Sequence, residues 1–382
     1  MRQTTREEEF TSNSDVLHLA FELGCKEWKL AFATSVGQRP RLRTLAAGDL
    51  EGGVLQEISR AKVRLGLPAG CRVVSCYEAG RDGFGLHRWL VSQGVENLVV
   101  DSSSIEVNRR SRRAKTDRLD AQKLLTQLIR FTQGEKRAFS VLRVPSPEQE
   151  DGRQGPRELG CLKKERTIHT NRMKSLLASQ GVRLEIRKDF LECLEQVRLW
   201  DGRPLPEQLK QRLQREHERL LLLQQQIKDL ERRRREVLRQ AALPQDHQQV
   251  QKLLRLRALG DNSSWLLVSE VFGWRQFKNR RELGGASGFA PMPYQSGGTD
   301  HDQGISKAGN RRVRAMMIEI AWAWIRLQPQ SRLTLWFQQR FGPGSGRSRR
   351  VGIVAVARRL LIDLWRYVHH DIVPDGAALK SF

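Results

Sequence analysis

Cysteine is scarce in this 382-residue chain: Cys25, Cys71, Cys76, Cys161 and Cys193, an odd number with no Cys-x-x-Cys pair. That excludes a disulfide frame and a zinc knot and reads as reduced thiols. Long apolar runs are missing as well. The longest, Val351 to Ala357, falls far short of the roughly 18 residues that a membrane span needs. The opening MRQTTREEEF is polar and has no hydrophobic core for a signal peptide. A membrane or secreted protein is therefore not expected, and a cytoplasmic one is. Acid is the third shortage: 43 Asp+Glu face 67 Lys+Arg, a net charge of +24. Clustered cations bind phosphates and release condensed counterions, so the surplus predicts a polyanionic partner, nucleic acid first. Arginine outnumbers lysine, which favours bidentate phosphate contacts.

The first third alternates strands and helices. Val16–Glu22 and Glu27–Thr34 read as a strand pair, Arg41–Ala47 as a third strand, and a helix follows from Glu51 to Arg64. CRVVSCYE (Cys71–Glu78) is a buried strand. GFGLHRWLVSQG is a short amphipathic helix closed by Gly94, ENLVVDSS is another strand, and a helix begins near Lys115. The order β-β-β-α-β-α-β-α is that of the ribonuclease H-like (RuvC-like) fold. A loop rich in Pro, Gly and Gln breaks the pattern at Pro145–Pro156. Two helices follow, Glu158–Gln180 and Glu207–Gln240. The second carries a heptad seam through Leu213, Leu220, Leu223, Ile227, Leu230 and Val237. Glu216 and Arg234 interrupt that seam, so an antiparallel hairpin or a dimerising coil is expected rather than a perfect zipper. From about Val250 the chain is mostly helical. It has a helix-hairpin-helix look around ALGDNSS, a Gly- and Ser-rich loop region feeding a basic helix, and VGIVAVARRLLIDLWRYV as a core helix. The expected fold class is α/β plus all-α. The expected domains are a RuvC-like one at 1–145, a helical coiled-coil one at 146–249 and a mostly helical one at 250–382.

Four acids fall where an RNase H-like site needs them. Glu22 ends the first strand and Glu78 the strand CRVVSCYE. Asp117 and Asp120 in KTDRLDA are three residues apart, on one face of a helix start. Four converging carboxylates are costly without divalent cations, and two Mg²⁺ ions ~4 Å apart would stabilise the attacking and leaving oxygens of a phosphodiester. For any one of them a plain strand-end or N-cap acid is the competing reading, and Asp101, at another strand end, is the nearest impostor. The basic stretch NRRSRRAK (Asn108–Lys115), with Arg109, Arg110, Arg112, Arg113 and Lys115, leads into the last pair and suits backbone-phosphate contact.

Later, GFAPMPYQSGGTDHDQGISKAGNRRVR sets Ser296 between Tyr294-Gln295 and Gly297-Gly298, followed by Lys307, Arg311, Arg312 and Arg314, which can hold a phosphate. Taken alone Ser296 is a turn serine, since no His–Asp pair is readable beside it. KTDRLDA with its upstream strand-end acids and the Ser-Gly and G-I-S-K-x-G-N elements together resemble the DEDD transposases of the IS110/IS1111 insertion sequences, over nearly the whole chain. The resemblance implies a RuvC-like domain, a coiled-coil domain and a transposase domain acting together in a bacterial, nucleoid-associated enzyme. It implies a Mg²⁺-binding tetrad of Glu22, Glu78, Asp117 and Asp120, with Ser296 as a nucleophile joined covalently to DNA. The partners it implies are a structured bridge RNA, donor and target double-stranded DNA, and a second or further copies of the chain. Two positions depart from the pattern: Glu22 stands where Asp is usual, and ALGDNSS replaces a Gly-x-Gly turn. A RuvC-like nuclease using water, with Ser296 structural, and a non-catalytic nucleic-acid binder are the alternatives.

Overall fold

The structure, a computed structural model, describes residues 16–105, 116–296 and 299–380. The chain divides into two units, 1–144 and 145–382.

In the first unit alternating apolar residues build β1 (Val16–Leu23), β2 (Glu27–Ala33) and β3 (Arg41–Ala46) as an antiparallel meander. A wide-turned helical segment, Leu50–Leu55, runs into α1 (Gln56–Arg64). Then come β4 (Arg72–Glu78), α2 (Gly85–Ser92), β5 (Glu96–Val100) and α3 (Asp117–Thr132). The sheet order is β3-β2-β1-β4-β5, with β4 parallel to both β1 and β5. Because strand side chains alternate between faces, two cores form. Leu17, Leu19, Phe21, Val73 and Tyr77 pack with Val54, Ile58, Leu86 and Leu90 of the α1 and α2 layer. Val16, Ala20, Val74, Cys76 and Val100 pack with Ala121, Leu124, Leu125 and Leu128 of α3. This is the expected RNase H-like sandwich.

In the second unit the Pro-rich stretch holds a short helix, α4 (Pro147–Asp151), where a plain loop was expected. Ser146 and Gln149 close a capping box and Pro147 takes the first turn, where its missing N–H costs nothing. Helix α5 (Gln154–Ala178), the short α6 (Phe190–Gln196) and the 31-residue α7 (Glu207–Val237) follow. Met173 and Leu177, late in α5, meet Leu213 and Leu220, early in α7. Leu159 and Leu162, early in α5, meet Leu223 and Ile227. The two long helices are therefore an antiparallel hairpin, and the heptad seam is spent within the chain. Glu216, the break in the seam, is buried and receives His169 at 2.5 Å, Arg172 at 2.9 Å and Arg219 at 3.2 Å. At the turn between the helices a tight loop, closed by Leu199 N–H donating to the Arg203 carbonyl, leaves Trp200 91% exposed.

The remainder comprises α8 (Gln245–Leu254), α9 (Asp261–Leu267) continuing as Val268–Phe272, and α10 (Arg280–Ala286). After these come β6 (Pro291–Ser296), β7 (Thr299–Ile305), α11 (Arg311–Leu327), α12 (Arg332–Phe341) and α13 (Gly346–His370). One core joins the helices around Trp324, Phe289, Phe272 and Leu360. The segment expected as loop is an antiparallel β6–β7 hairpin.

Candidate active site

Two strand–helix anchors fix where the acids of the first unit lie. His18 Nε2 and Thr132 Oγ1 are 2.9 Å apart, and the Cys76 thiol reaches the Leu124 carbonyl at 4.0 Å. Helix α3 thus runs against the direction of β1 and β4, and its N-terminus lies towards their C-terminal ends. Asp120 is one turn, about 6 Å, from Leu124, and Glu78 is two residues, about 7 Å, beyond Cys76. The two therefore stand at one height. The register pairs Phe21 with Tyr77, which brings Glu22 and Glu78 to adjacent parallel strand ends. Both share the parity of Ala20 and Cys76, which face α3. Glu22 is half-buried and Glu78 exposed. Asp101 follows β5 at the same sheet edge, its carbonyl accepting from the Ser104 hydroxyl at 2.7 Å.

The N-terminus of α3 is built by Thr116, whose hydroxyl accepts from the Leu119 N–H. It places Asp117 and Asp120 in the first turn, where the helix dipole favours negative charge. Lys123, one turn on, sits 3.5 Å from Asp120. Arg109, Arg110, Arg112, Arg113 and Lys115 lie outside the described residues.

These placements correct the expected chemistry. Among the described residues no three His, Cys, Asp or Glu side chains are grouped to hold a metal ion. The four acids share one end of the sheet but do not form an assembled tetrad. Mutual repulsion between carboxylates opposes such a cluster, and Asp120 takes Lys123 as its counter-charge instead. Ser296 closes β6, paired with Thr299 across the tip of the hairpin in the second unit. The reading of RNA-guided, serine-linked recombination on a carboxylate tetrad is accordingly replaced by its alternative, a nuclease of the RuvC-like type.

Around that hairpin the G-I-S-K-x-G-N run has a structural logic. Ser306, Lys307 and Asn310 donate backbone N–H groups to the carbonyls of Ala290, Gly288 and Ala286. A Cβ on Gly309 would strike the Ala286 carbonyl, and its φ of +89° suits glycine. Lys307 itself is held at φ +57° and is exposed, as are Arg311 and Arg312 in the first turn of α11. Asn310 caps α11 and donates through Nδ2 to Glu270 at 2.9 Å. Glu270, 2% exposed, also binds Arg157 at 2.7 Å and Arg153 at 3.5 Å. Burial alone would raise its pKa, but the two guanidiniums and the amide hold the carboxyl below its usual value. Sequence reading missed this hub, since Arg153, Glu270 and Asn310 are brought together only by tertiary packing.

The chain is 41% identical over 378 residues to the "Putative transposase y4rJ" of Sinorhizobium fredii, covering 96% of this chain and 95% of that protein. Residues 250–335 match the family described as Transposase IS116/IS110/IS902. The chain belongs to this transposase family. The transposase for insertion sequence element IS1111A of Coxiella burnetii is 26% identical over 68% of this chain and 67% of its own length. The one for element IS1328 of Yersinia enterocolitica is 28% identical over 46% and 51%. Membership of this family supports catalytic activity of the nuclease and strand-transfer kind in general. No helix among its described residues is long and apolar enough to cross a membrane.

Proposed function

We propose that this transposase cuts DNA at the C-terminal edge of its RuvC-like sheet by metal-dependent hydrolysis, with water as nucleophile. The observation that carries the reading is the register that sets Glu22 and Glu78 at adjacent parallel strand ends on the face covered by α3, level with Asp120. The donor set fits a hard divalent cation, because it is all carboxylate oxygen with no thiolate or imidazole. Glu22, Glu78 and Asp120, not grouped as a ligand set here, would have to close on Mg²⁺ together, with Asp117 one turn outward, and the ion would supply Lewis acidity and an activated water. The chain's own contribution is the low position of α3, which aims these acids at one edge. Arg109, Arg110, Arg112, Arg113 and Lys115 lead into that helix in sequence and contact phosphates of DNA. Lys307, Arg311, Arg312 and Arg314 do so in the second unit. Self-association belongs to the outer face of α7, where Leu221 and Leu222 are exposed.

The test is cleavage of labelled element-end DNA with Mg²⁺, run in ¹⁸O-water and resolved on a denaturing gel. Glu78→Gln and Asp120→Asn are expected to lower cleavage at least a hundredfold while DNA affinity stays within a few-fold. Ser296→Ala is expected to keep cleavage, and ¹⁸O should enter the product phosphate. A protein–DNA adduct, or full activity in both acid variants, defeats the proposal. RNA added to the same reaction, and sedimentation of Leu221→Ser/Leu222→Ser, report on the remaining partners.

A further inference from the structure

Within the second unit a cleft of about 1570 Å³ opens along α13, bounded by α12, α10 and the start and end of the β6–β7 hairpin. The volume exceeds the ~300–1,000 Å³ of small-molecule sites. Residues 347, 351, 354, 358, 362 and 366 line it. That spacing is a single helix face, and it runs over 20 residues, about 28 Å. A duplex keeps its base faces stacked inside, whereas one extended strand presents them to apolar surface lying between cations.

The lining has two kinds of surface. Nine of its residues are Lys or Arg, against Asp363 and Asp375 as the acids. Between the cations lie apolar patches: half-exposed Trp336, exposed Val351, and Ile372 and Val373 at 56% and 42% exposure. Arg359 stacks on Trp336 with its guanidinium 3.9 Å from the ring centroid, which holds a flat cation at the cleft wall. Lys307, forced to positive φ at the foot of the hairpin, faces the same space. Flat cations over an aromatic and guanidinium groups at intervals along a rod match the alternating phosphates and base faces of one polynucleotide strand. Hydroxyl and amide side chains that could read a sugar are nearly missing from the wall, where Ser331 is buried and already committed to Trp324 and Thr334.

We infer that the cleft along α13 is a binding site for single-stranded DNA, sequence-tolerant and independent of metal. Its lining comes wholly from the second unit and uses none of the proposed metal-binding acids, so its binding is measured in EDTA, where failure of the nuclease reading has no effect. The probe is a labelled twelve-residue oligo-dT added to the full-length protein, followed by fluorescence anisotropy across a salt series. Arg347→Glu/Arg366→Glu, both exposed positions, should weaken binding at least tenfold. The two lost phosphate contacts should also flatten the slope of log K against log salt by about 1.4. Trp336→Ala should cost about tenfold with little change of slope, since a stacking contact releases no counterion. Arg212→Glu/Arg215→Glu, exposed on α7, removes the same charge elsewhere and should change affinity less than threefold. The inference is overturned if the cleft and control pairs weaken binding equally. It is equally overturned if a duplex, an oligo-U or a poly-glutamate competes as well as oligo-dT.

Discussion

At the scale of single residues the molecule keeps strain in the turn that leads into α9. Ala258, in the ALGDNSS turn, sits at φ +81°, a region that costs a residue with a Cβ roughly 1–2 kcal/mol. Its neighbours over-determine it: Arg257 N–H donates to the Ala378 carbonyl and Gln328 donates to the Arg257 carbonyl. Ala258→Gly is expected to raise stability by about 0.5–1 kcal/mol, after the extra freedom of glycine in the unfolded chain is subtracted. Denaturant midpoints of the two proteins check this, and a lower midpoint for the glycine variant would mean that the turn is not strained. The acids were legible at this scale because a carboxylate closing an apolar strand stands out. Whether they gather was not, since the counter-charge Lys123 took up Asp120. The cleft arginines escaped notice for the opposite reason. Arg358, Arg359 and Arg366 are scattered through a helix whose buried face, Ile353, Val356, Leu360 and Leu364, dominates the pattern.

Among elements, α3 matters most, because its seating on the sheet places the acids. One seat is His18, 4% exposed and bonded to Thr132, with its pKa pushed down to about 4 by burial. The unfolded histidine titrates near 6.5. The contribution is therefore intact above pH 6.5 and is lost as pH falls from there to about 4, amounting to about 3 kcal/mol at most. His18→Gln keeps a hydrogen-bonding side chain but cannot titrate. The stability difference between wild type and variant should shift across that window, and a difference constant from pH 7 to 4 rules out a buried neutral imidazole. The elements themselves were readable wherever period-2 or heptad patterns ran long, as in β1, β4 and α7. The β6–β7 hairpin was not, for Pro291, Pro293, Asp300 and Gly304 are poor strand formers and only pairing makes a strand of them. Helix α4 carried a readable signal in Ser146-Pro147-x-Gln149, overlooked amid its Pro and Gly neighbours.

For the whole molecule the governing number is +24. Charge of that size makes DNA binding an ion-exchange process, whatever the sequence of the DNA. Between 50 and 200 mM salt, affinity for a DNA duplex should drop about a hundredfold or more, the loss expected once four phosphates are neutralised. Salt-insensitive binding in a filter or anisotropy assay would reduce the charge to a matter of composition. The long hairpin adds something that charge does not. Helix α7, with 31 residues, is a rod of about 46 Å, with the bare indole of Trp200 in the loop that leads into it and Arg234, near its last turn, against Trp265. Such a rod is a caliper. Trimming both arms by seven residues would draw the tip in by about 10 Å and turn it only ~20°, whereas trimming four would swing it by ~40°. The distance at which anything can be gripped by that tip is thus written in the count of heptads.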